Sequence, residues 1–280
     1  MRLPHLLTPL SLAAALTGGA AHSAEVELWR LDCGQILVRD QSLFTDSFAL
    51  PHEPRTLTDS CYLIRHDADY LLWDAGLPGA LAGQPATSDP AAAFAPSLNR
   101  TILSQLEDIG VAPEAITRVG ISHGHFDHTG QAGDFPGATL LIGAADYAAF
   151  QSAPLPFAFD PTPLAPWLGG GAKVDPVTGD RDVFGDGTVV MMTMPGHTEG
   201  ELALLVLLAG TGPVLLSGDV AHFHGQIEGG VVPSFNADRA ESLASMARLR
   251  EVAANLKAKL VIQHEPEDVA LLPAFPESAR

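Results

Sequence analysis

The sequence predicts an α/β domain, a sandwich of two sheets with helices on both outer faces (αββα), and three observations carry the prediction. Apolar, β-branched runs of strand length alternate with segments of helical period in both halves of the chain. Four of those runs end in histidine or aspartate, and the carboxyl ends of strands are where an α/β fold converges its loops on a ligand. The 280 residues also form one composition regime, without linker or internal repeat, which is enough for one large buried core.

The chain opens with Met1-Arg2-Leu3, a short apolar stretch to Leu16 and small residues up to Ala24, the pattern of a secretory signal peptide over residues 1–24. Cuts after Ser23 and after Ala24 compete, and an uncleaved anchor is the rival reading. The stretch is too short to span a bilayer and no stop-transfer pattern follows. The mature domain, residues 25–280, is therefore expected in the periplasm or outside the cell, with no integral membrane span after cleavage. Export would allow a disulfide between Cys33 and Cys61, while two buried thiols serving as small apolar residues is an equal alternative.

Residues 26–38 and 61–74 carry alternating and apolar runs and are expected as strands. Residues 40–60 between them are expected as a long loop carrying Phe44, Phe48 and Leu50. Leu98, Ile102, Leu106 and Ile109 fall at helical spacing before Gly110, which predicts a helix over 97–109. Strands follow at 116–122 and 139–142, and a short helix at 144–150. Residues 151–184 are rich in proline, glycine and aromatics, including Phe157, Phe159 and Trp167. Loops of that length are functional or disordered, and aromatic side chains favour a wall of the substrate pocket. The second half repeats the theme, with strands at 188–194, 202–208, 214–217 and 259–263. A helix is expected over 238–255, with Leu243, Met246, Ala247 and Leu249 on its core face.

The chemistry concentrates in Ser122-His123-Gly124-His125-Phe126-Asp127-His128-Thr129-Gly130. Imidazole and carboxylate donors suit zinc, and also iron, manganese or cobalt, and each metal needs three or four protein ligands. Alternate positions 123 and 125 put two imidazoles on one side of extended chain, and 127 and 128 diverge as the chain turns into a helix. Three further donors stand at strand ends: His197 after a Pro-Gly turn, Asp219 after Leu215-Leu216-Ser217-Gly218, and His264 after Leu260-Val261-Ile262-Gln263.

In this order, His-x-His-x-Asp-His, then His, Asp and His, the chain resembles the metallo-β-lactamase-fold hydrolases over nearly all of its mature length. The run Leu72-Trp73-Asp74-Ala75-Gly76 is similar to that family's early strand-Asp-x-Gly turn. The resemblance implies the four-layer αββα sandwich with that family's sheet pairing, and two metal ions, zinc foremost. It implies His123, His125 and His197 on the first metal, Asp127, His128 and His264 on the second, and Asp219 bridging them. Asp74 would orient a ligand, with an ordinary strand-to-turn aspartate as the alternative. The implied nucleophile is a metal-bridging hydroxide, with Asp127 both ligand and proton shuttle toward the leaving alkoxide.

Within the family, class B β-lactamases place cysteine or no ligand where this chain has Asp219. Glyoxalase II-like thioesterases hold an anionic substrate through a basic tail, whereas residues 265–280 are short and acidic. Flavodiiron relatives carry a flavin domain that this length excludes. The motif is most similar to the N-acyl homoserine lactonases, which implies a small neutral lactone or ester as partner, with aryl esters and phosphotriesters as the alternative. Those lactonases place a tyrosine three residues after the bridging aspartate, and this chain has His222 there, whose ring N–H can donate the same hydrogen bond to a substrate carbonyl. Nearby His224 is expected to be a solvated loop residue.

With 33 acidic against 15 basic residues, a formal charge of −18 and no Lys/Arg cluster, the composition argues against nucleic acid as partner, since phosphate contacts supply most of that affinity. Homodimerisation is left open. A metal-binding protein without activity, and an iron redox enzyme on the same ligands, are the readings from other classes.

Overall fold

A computed structural model describes residues 24–280. The expected leader, residues 1–24, lies outside the described residues except for Ala24, and no described helix is long and apolar enough to cross a membrane.

Two sheets stack face to face. The first has seven strands in the order β4-β1-β2-β3-β5-β6-β7: β1 (Val26–Val38), β2 (Arg55–His66), β3 (Asp69–Trp73), β4 (Phe94–Ser97), β5 (Ile116–Ile121), β6 (Thr139–Gly143) and β7 (Val174–Val177). The second has five, in the order β12-β11-β10-β9-β8: β8 (Arg181–Asp182), β9 (Val189–Thr193), β10 (Leu202–Leu208), β11 (Gly212–Leu216) and β12 (Lys259–Val261). In the first sheet β1 to β4 pair antiparallel, and β3, β5, β6 and β7 run parallel.

Period-2 alternation puts one side of each sheet into a shared interior. Leu28, Tyr62, Ile64, Leu71 and Trp73 from the first sheet meet Met191, Leu204, Val206, Val214 and Leu216 from the second. The outer faces are covered by helices. On the first sheet, α1 (Ile102–Asp108) contributes Ile102 and Leu106, and α4 (Ala165–Leu168) contributes Trp167. On the second, α6 (Arg239–Leu256) packs Met246 and Leu249. The short helices α2 (Phe126–Thr129), α3 (Ala144–Ala149), α5 (His224–Gly229) and α7 (Pro266–Val269) sit in the loops between. The four-layer αββα sandwich is thus the observed fold.

Local chemistry sets the helix ends. Asp238 caps α6 by accepting the Glu241 N–H at 2.8 Å, with glutamate at the third helical position as in a capping box. Thr101 caps α1 in the same way from Ser104. The expected helix over 97–109 is consequently shorter, because Phe94–Ser97 pairs with β1 as an edge strand, the kind of strand in which a proline such as Pro96 is tolerated. The expected single strand over 61–74 is a hairpin that turns at Asp67 and Ala68, and its first strand begins at Arg55, inside the segment expected as loop. Asp67 takes the left-handed conformation there, which aspartate tolerates.

Cys33 and Cys61 form a disulfide between neighbouring strands, with Cα atoms 5.8 Å apart, inside the outer core of the first sheet. The expected pocket wall at 151–184 divides. Phe157 and Phe159 reach the cavity described below, whereas Trp167 is fully buried in the core and donates its ring N–H to the Ala138 carbonyl at 2.9 Å. Trp167→Ala is expected to lower the unfolding free energy by about 3–5 kcal/mol in urea denaturation, without changing KM for substrate. A changed KM at unaltered stability would return Trp167 to the pocket.

Candidate metal centre

All of the expected donors gather at the carboxyl ends of strands from both sheets. His123 follows β5, Asp74 follows β3, His197 follows β9, Asp219 follows β11 and His264 follows β12. Four donors, His123, His125, His197 and Asp219, offer atoms within 4.8 Å of one another, and so do Asp127, His128 and His264. Asp219 faces both groups. Its Oδ1 lies 3.0 Å from His264 Nε2 and 3.4 Å from His128 Nε2, and its Oδ2 lies 3.5 Å from His197 Nε2 and 3.7 Å from His123 Nε2.

The loop carrying His123 to His128 is pinned from several directions. Asp74, at a left-handed φ of 57°, accepts the Ser122 N–H at 2.7 Å on one oxygen. Its other oxygen accepts from His128 Nδ1 at 2.9 Å and from the Gln263 amide at 2.8 Å. Asp74 thus fixes the His128 ring and the start of this loop, where the resemblance implies a ligand-orienting residue. Asp146 on α3 accepts from the Gly124 N–H, the Thr198 hydroxyl and the Gly200 N–H at 2.8 to 2.9 Å, tying the His123–His128 loop to the His197 loop. Burial pushes Asp146 up to about 6 despite those three donors. A Cβ at Gly124 would lie 2.2 Å from the Phe159 ring, so a side chain there would displace that ring.

The ring protons show what the donor set is for. His264 Nδ1 donates to the Thr58 carbonyl at 2.7 Å and His128 Nδ1 to Asp74, so in the neutral rings both Nε2 atoms carry lone pairs. Those two Nε2 atoms face each other at 3.3 Å. His197 Nδ1 donates to Asn236 Oδ1 at 2.9 Å, and its Nε2 lies 3.0 Å from His125 Nδ1. His123 Nε2 and Asp219 Oδ1 are buried with no hydrogen-bond partner. Converging lone pairs and an orphaned carboxylate oxygen in a buried site are satisfied by cations, so the residues fit two metal ions. Nitrogen and oxygen donors without thiolate suit zinc, iron, manganese or cobalt.

Electrostatics separate the rings into two sets. Burial drives His123 and His125 well below the usual histidine range and His197 to about 3, which keeps these rings neutral and their lone pairs free. At His128 and His264 burial acts the same way, but the Asp219 carboxylate overcomes it and holds His128 well above the usual range and His264 up to about 9. Burial and the charge on Asp219 push Glu201 up, so Glu201 is the neutral member of that pair, and its Oε1 accepts the Asp219 N–H at 2.8 Å.

His222 stands inside the centre, its Nε2 3.1 Å from Asp219 Oδ2 and its ring edge-on to Phe44 at 4.7 Å. His224 begins α5 and pairs with Asp268 at 2.8 Å; it is exposed, as expected, but stands on a helix and not in a loop. Two cavities adjoin the candidate ligands. A small one of about 60 Å³ is lined by Phe44, Asp127, Phe157, His222, Phe235 and His264. A larger one of about 480 Å³ opens beside His125 and His197, between Ala145, Ala148 and Ala149 of α3 and the rings of Phe157, Phe159 and Phe235. Asp146, Glu201, Asn236, Gln263 and Phe235 carry no sequence signal, because their roles arise only from distant partners in the fold.

The chain belongs to the metallo-beta-lactamase superfamily, whose sequence profile matches residues 55–264, from the first residue of β2 to the last of the candidate donors. The N-acyl homoserine lactonase AttM of Azorhizobium caulinodans is 29% identical over 180 residues, 59% of this chain and 64% of that protein, so the match spans less than two thirds of that relative. A solved structure of an N-acyl homoserine lactone hydrolase, with the product N-hexanoyl-L-homoserine bound at its catalytic metal center, superposes with a TM-score of 0.77 at 22% identity, covering 92% of this chain and 100% of that one. AidC, a dizinc quorum-quenching lactonase, superposes with a TM-score of 0.64 at 18% identity, covering 91% and 90%. Both share the fold of this chain.

Asp74→Ala is expected to weaken metal binding about 10–100-fold, read by competition with a chromophoric chelator; unchanged affinity would remove Asp74 from the ligand support. Because Asp219 holds a proton on His264 up to about pH 9, metal must displace that proton below this value. Affinity should therefore fall about tenfold per pH unit as pH drops, for each proton displaced. A pH-independent affinity would contradict the assignment.

Proposed function

We propose that this chain is an exported two-metal hydrolase, zinc-dependent in its native form, that opens the lactone ring of N-acyl homoserine lactones. The observation that carries the reading is the joining of a buried histidine–carboxylate centre to a cavity walled by alanine and phenylalanine side chains. Such a cavity suits an apolar acyl tail beside a polar head. No lysine or arginine lines either cavity, so an anionic substrate would find no counter-charge, and the neutral lactone named in the relatives suits the site. The Cys33–Cys61 disulfide supports export, since such bonds persist in oxidising compartments.

Metals held by His123, His125 and His197, by Asp127, His128 and His264, and by Asp219 between them would supply a water of lowered pKa and a counter-charge for the oxyanion. The chain's own groups do the rest. Phe44, Phe157 and Phe235 exclude bulk water around the small cavity. Asp127, in the first turn of α2, lines that cavity with its Oδ2 4.0 Å from His264 Nε2. There it takes one proton of the attacking water and passes it to the ring oxygen as the ester C–O bond breaks, leaving a free hydroxyl and a carboxylic acid whose remaining proton is released to solvent.

The test is a substrate panel of acyl homoserine lactones, aryl esters and phosphotriesters, followed by pH-stat or absorbance. Lactone opening by metal-replete protein, lost on chelation and regained with zinc, is the expected result. Turnover of aryl esters or phosphotriesters with inert lactones would move the assignment to those substrates. Asp127→Asn, compared with the wild type at full metal loading in excess zinc, should lower kcat about 10²–10⁴-fold; wild-type kcat would exclude the shuttle role.

A further inference from the structure

His222 belongs to neither donor group, yet it is wired as their histidines are. It follows the Gly218–Val220 turn after β11 and is buried. Its backbone N–H donates to Gln226 Oε1 at 2.7 Å, and the Gln226 amide nitrogen donates to the Phe44 carbonyl at 3.0 Å. One partner can only donate and the other can only accept, so the amide has a single orientation. The His222 Nδ1 faces that same oxygen at 3.3 Å. A proton on Nδ1 satisfies the contact, and in the neutral ring the lone pair then sits on Nε2. That Nε2 lies 3.1 Å from Asp219 Oδ2, and two acceptors at this distance repel unless a cation lies against both.

Three donor histidines carry the same device: an acceptor fixes Nδ1–H and Nε2 turns to Asp219. The acceptors are Asp74 for His128, Thr58 for His264 and Asn236 for His197. Around Oδ2 the imidazoles of His123, His197 and His222 converge at 3.7, 3.5 and 3.1 Å. A side chain built to donate to a substrate carbonyl would need its proton on Nε2, the opposite wiring.

We infer that His222 is an additional metal ligand, bound through Nε2 to the ion on the Oδ2 side of Asp219, and that Gln226 is the positioning residue that fixes its tautomer. The inference rests on the two-metal reading above. It makes residue 222 a ligand where the resemblance implies a hydrogen-bond donor.

Cobalt(II) loading of the full mature chain tests it. Each bound imidazole then gives one paramagnetically shifted, solvent-exchangeable ring N–H signal in proton NMR. In His222→Phe one such signal is expected to vanish, the visible cobalt bands to shift, and affinity for one metal equivalent to fall about tenfold or more while the other is kept. Gln226→Leu, which leaves the ring in place, should weaken the same equivalent by a smaller factor. Unchanged signals, bands and affinities in His222→Phe, with only kcat reduced, would overturn the inference and make His222 a donor to substrate. If the variants do not fold, the wild-type spectrum decides. One shifted N–H beyond those of the five histidines in the two groups supports the inference, and no more than theirs overturns it. A chain that binds two metals but shows the donor outcome leaves the two-metal reading intact, whereas uptake of one metal or none overturns both.

Discussion

The Asp219 carboxylate is the buried charge on which both histidine groups close. Burial works to raise its pKa, and the neighbouring imidazoles, His264 foremost, overcome that and hold it well below the usual carboxylate range. An ionised carboxylate with one oxygen lacking a hydrogen-bond partner costs several kcal/mol in a dry interior unless positive charge answers it. Here the answering groups are themselves buried imidazoles whose protons are partly committed outward, to Thr58, Asp74 and Asn236. The centre is arranged so that cations complete it, and metal binding then contributes to folding free energy as well as to chemistry.

The sandwich serves this arrangement by bringing strand ends from two sheets to one edge. β3 and β5 in the first sheet and β9, β11 and β12 in the second each release a donor or its support within a few residues of the last ladder bond. The backbone joins the sheets at the same place, with the Leu202 N–H donating to the Ser122 carbonyl at 2.9 Å. Three buried acids that need not touch metal, Asp74, Asp146 and Glu201, hold backbone N–H groups of the ligand-bearing loops. Rigidity at the ligands contrasts with the aromatic rim, where Phe157 is 60% exposed while it lines both cavities.

The gathering of the candidate donors was legible in the sequence because most of them are chemically distinctive residues at or just past the end of an apolar run, and the strand period locates those ends. The support was not. Asp146 sits in a short alanine-rich helix where nothing in the local sequence marks it as buried, yet three loop donors enclose it. Asn236, Gln263 and Gln226 acquire roles only through contacts across long sequence separations. The hairpin at Asp67 was hidden because Leu63-Ile64 and Leu71-Leu72 read as parts of one long run. Trp167 lay in a Pro- and Gly-rich stretch, where composition cannot separate a pocket wall from a plug in the core.

The central claim is that one carboxylate bridges two metal ions between two histidine groups. Anomalous diffraction from crystals grown with zinc or cobalt tests it most directly. The account predicts two peaks about 3.5–4 Å apart, one toward His123, His125 and His197 and one toward Asp127, His128 and His264, with Asp219 between. A single peak, or two peaks that do not share Asp219, would contradict it.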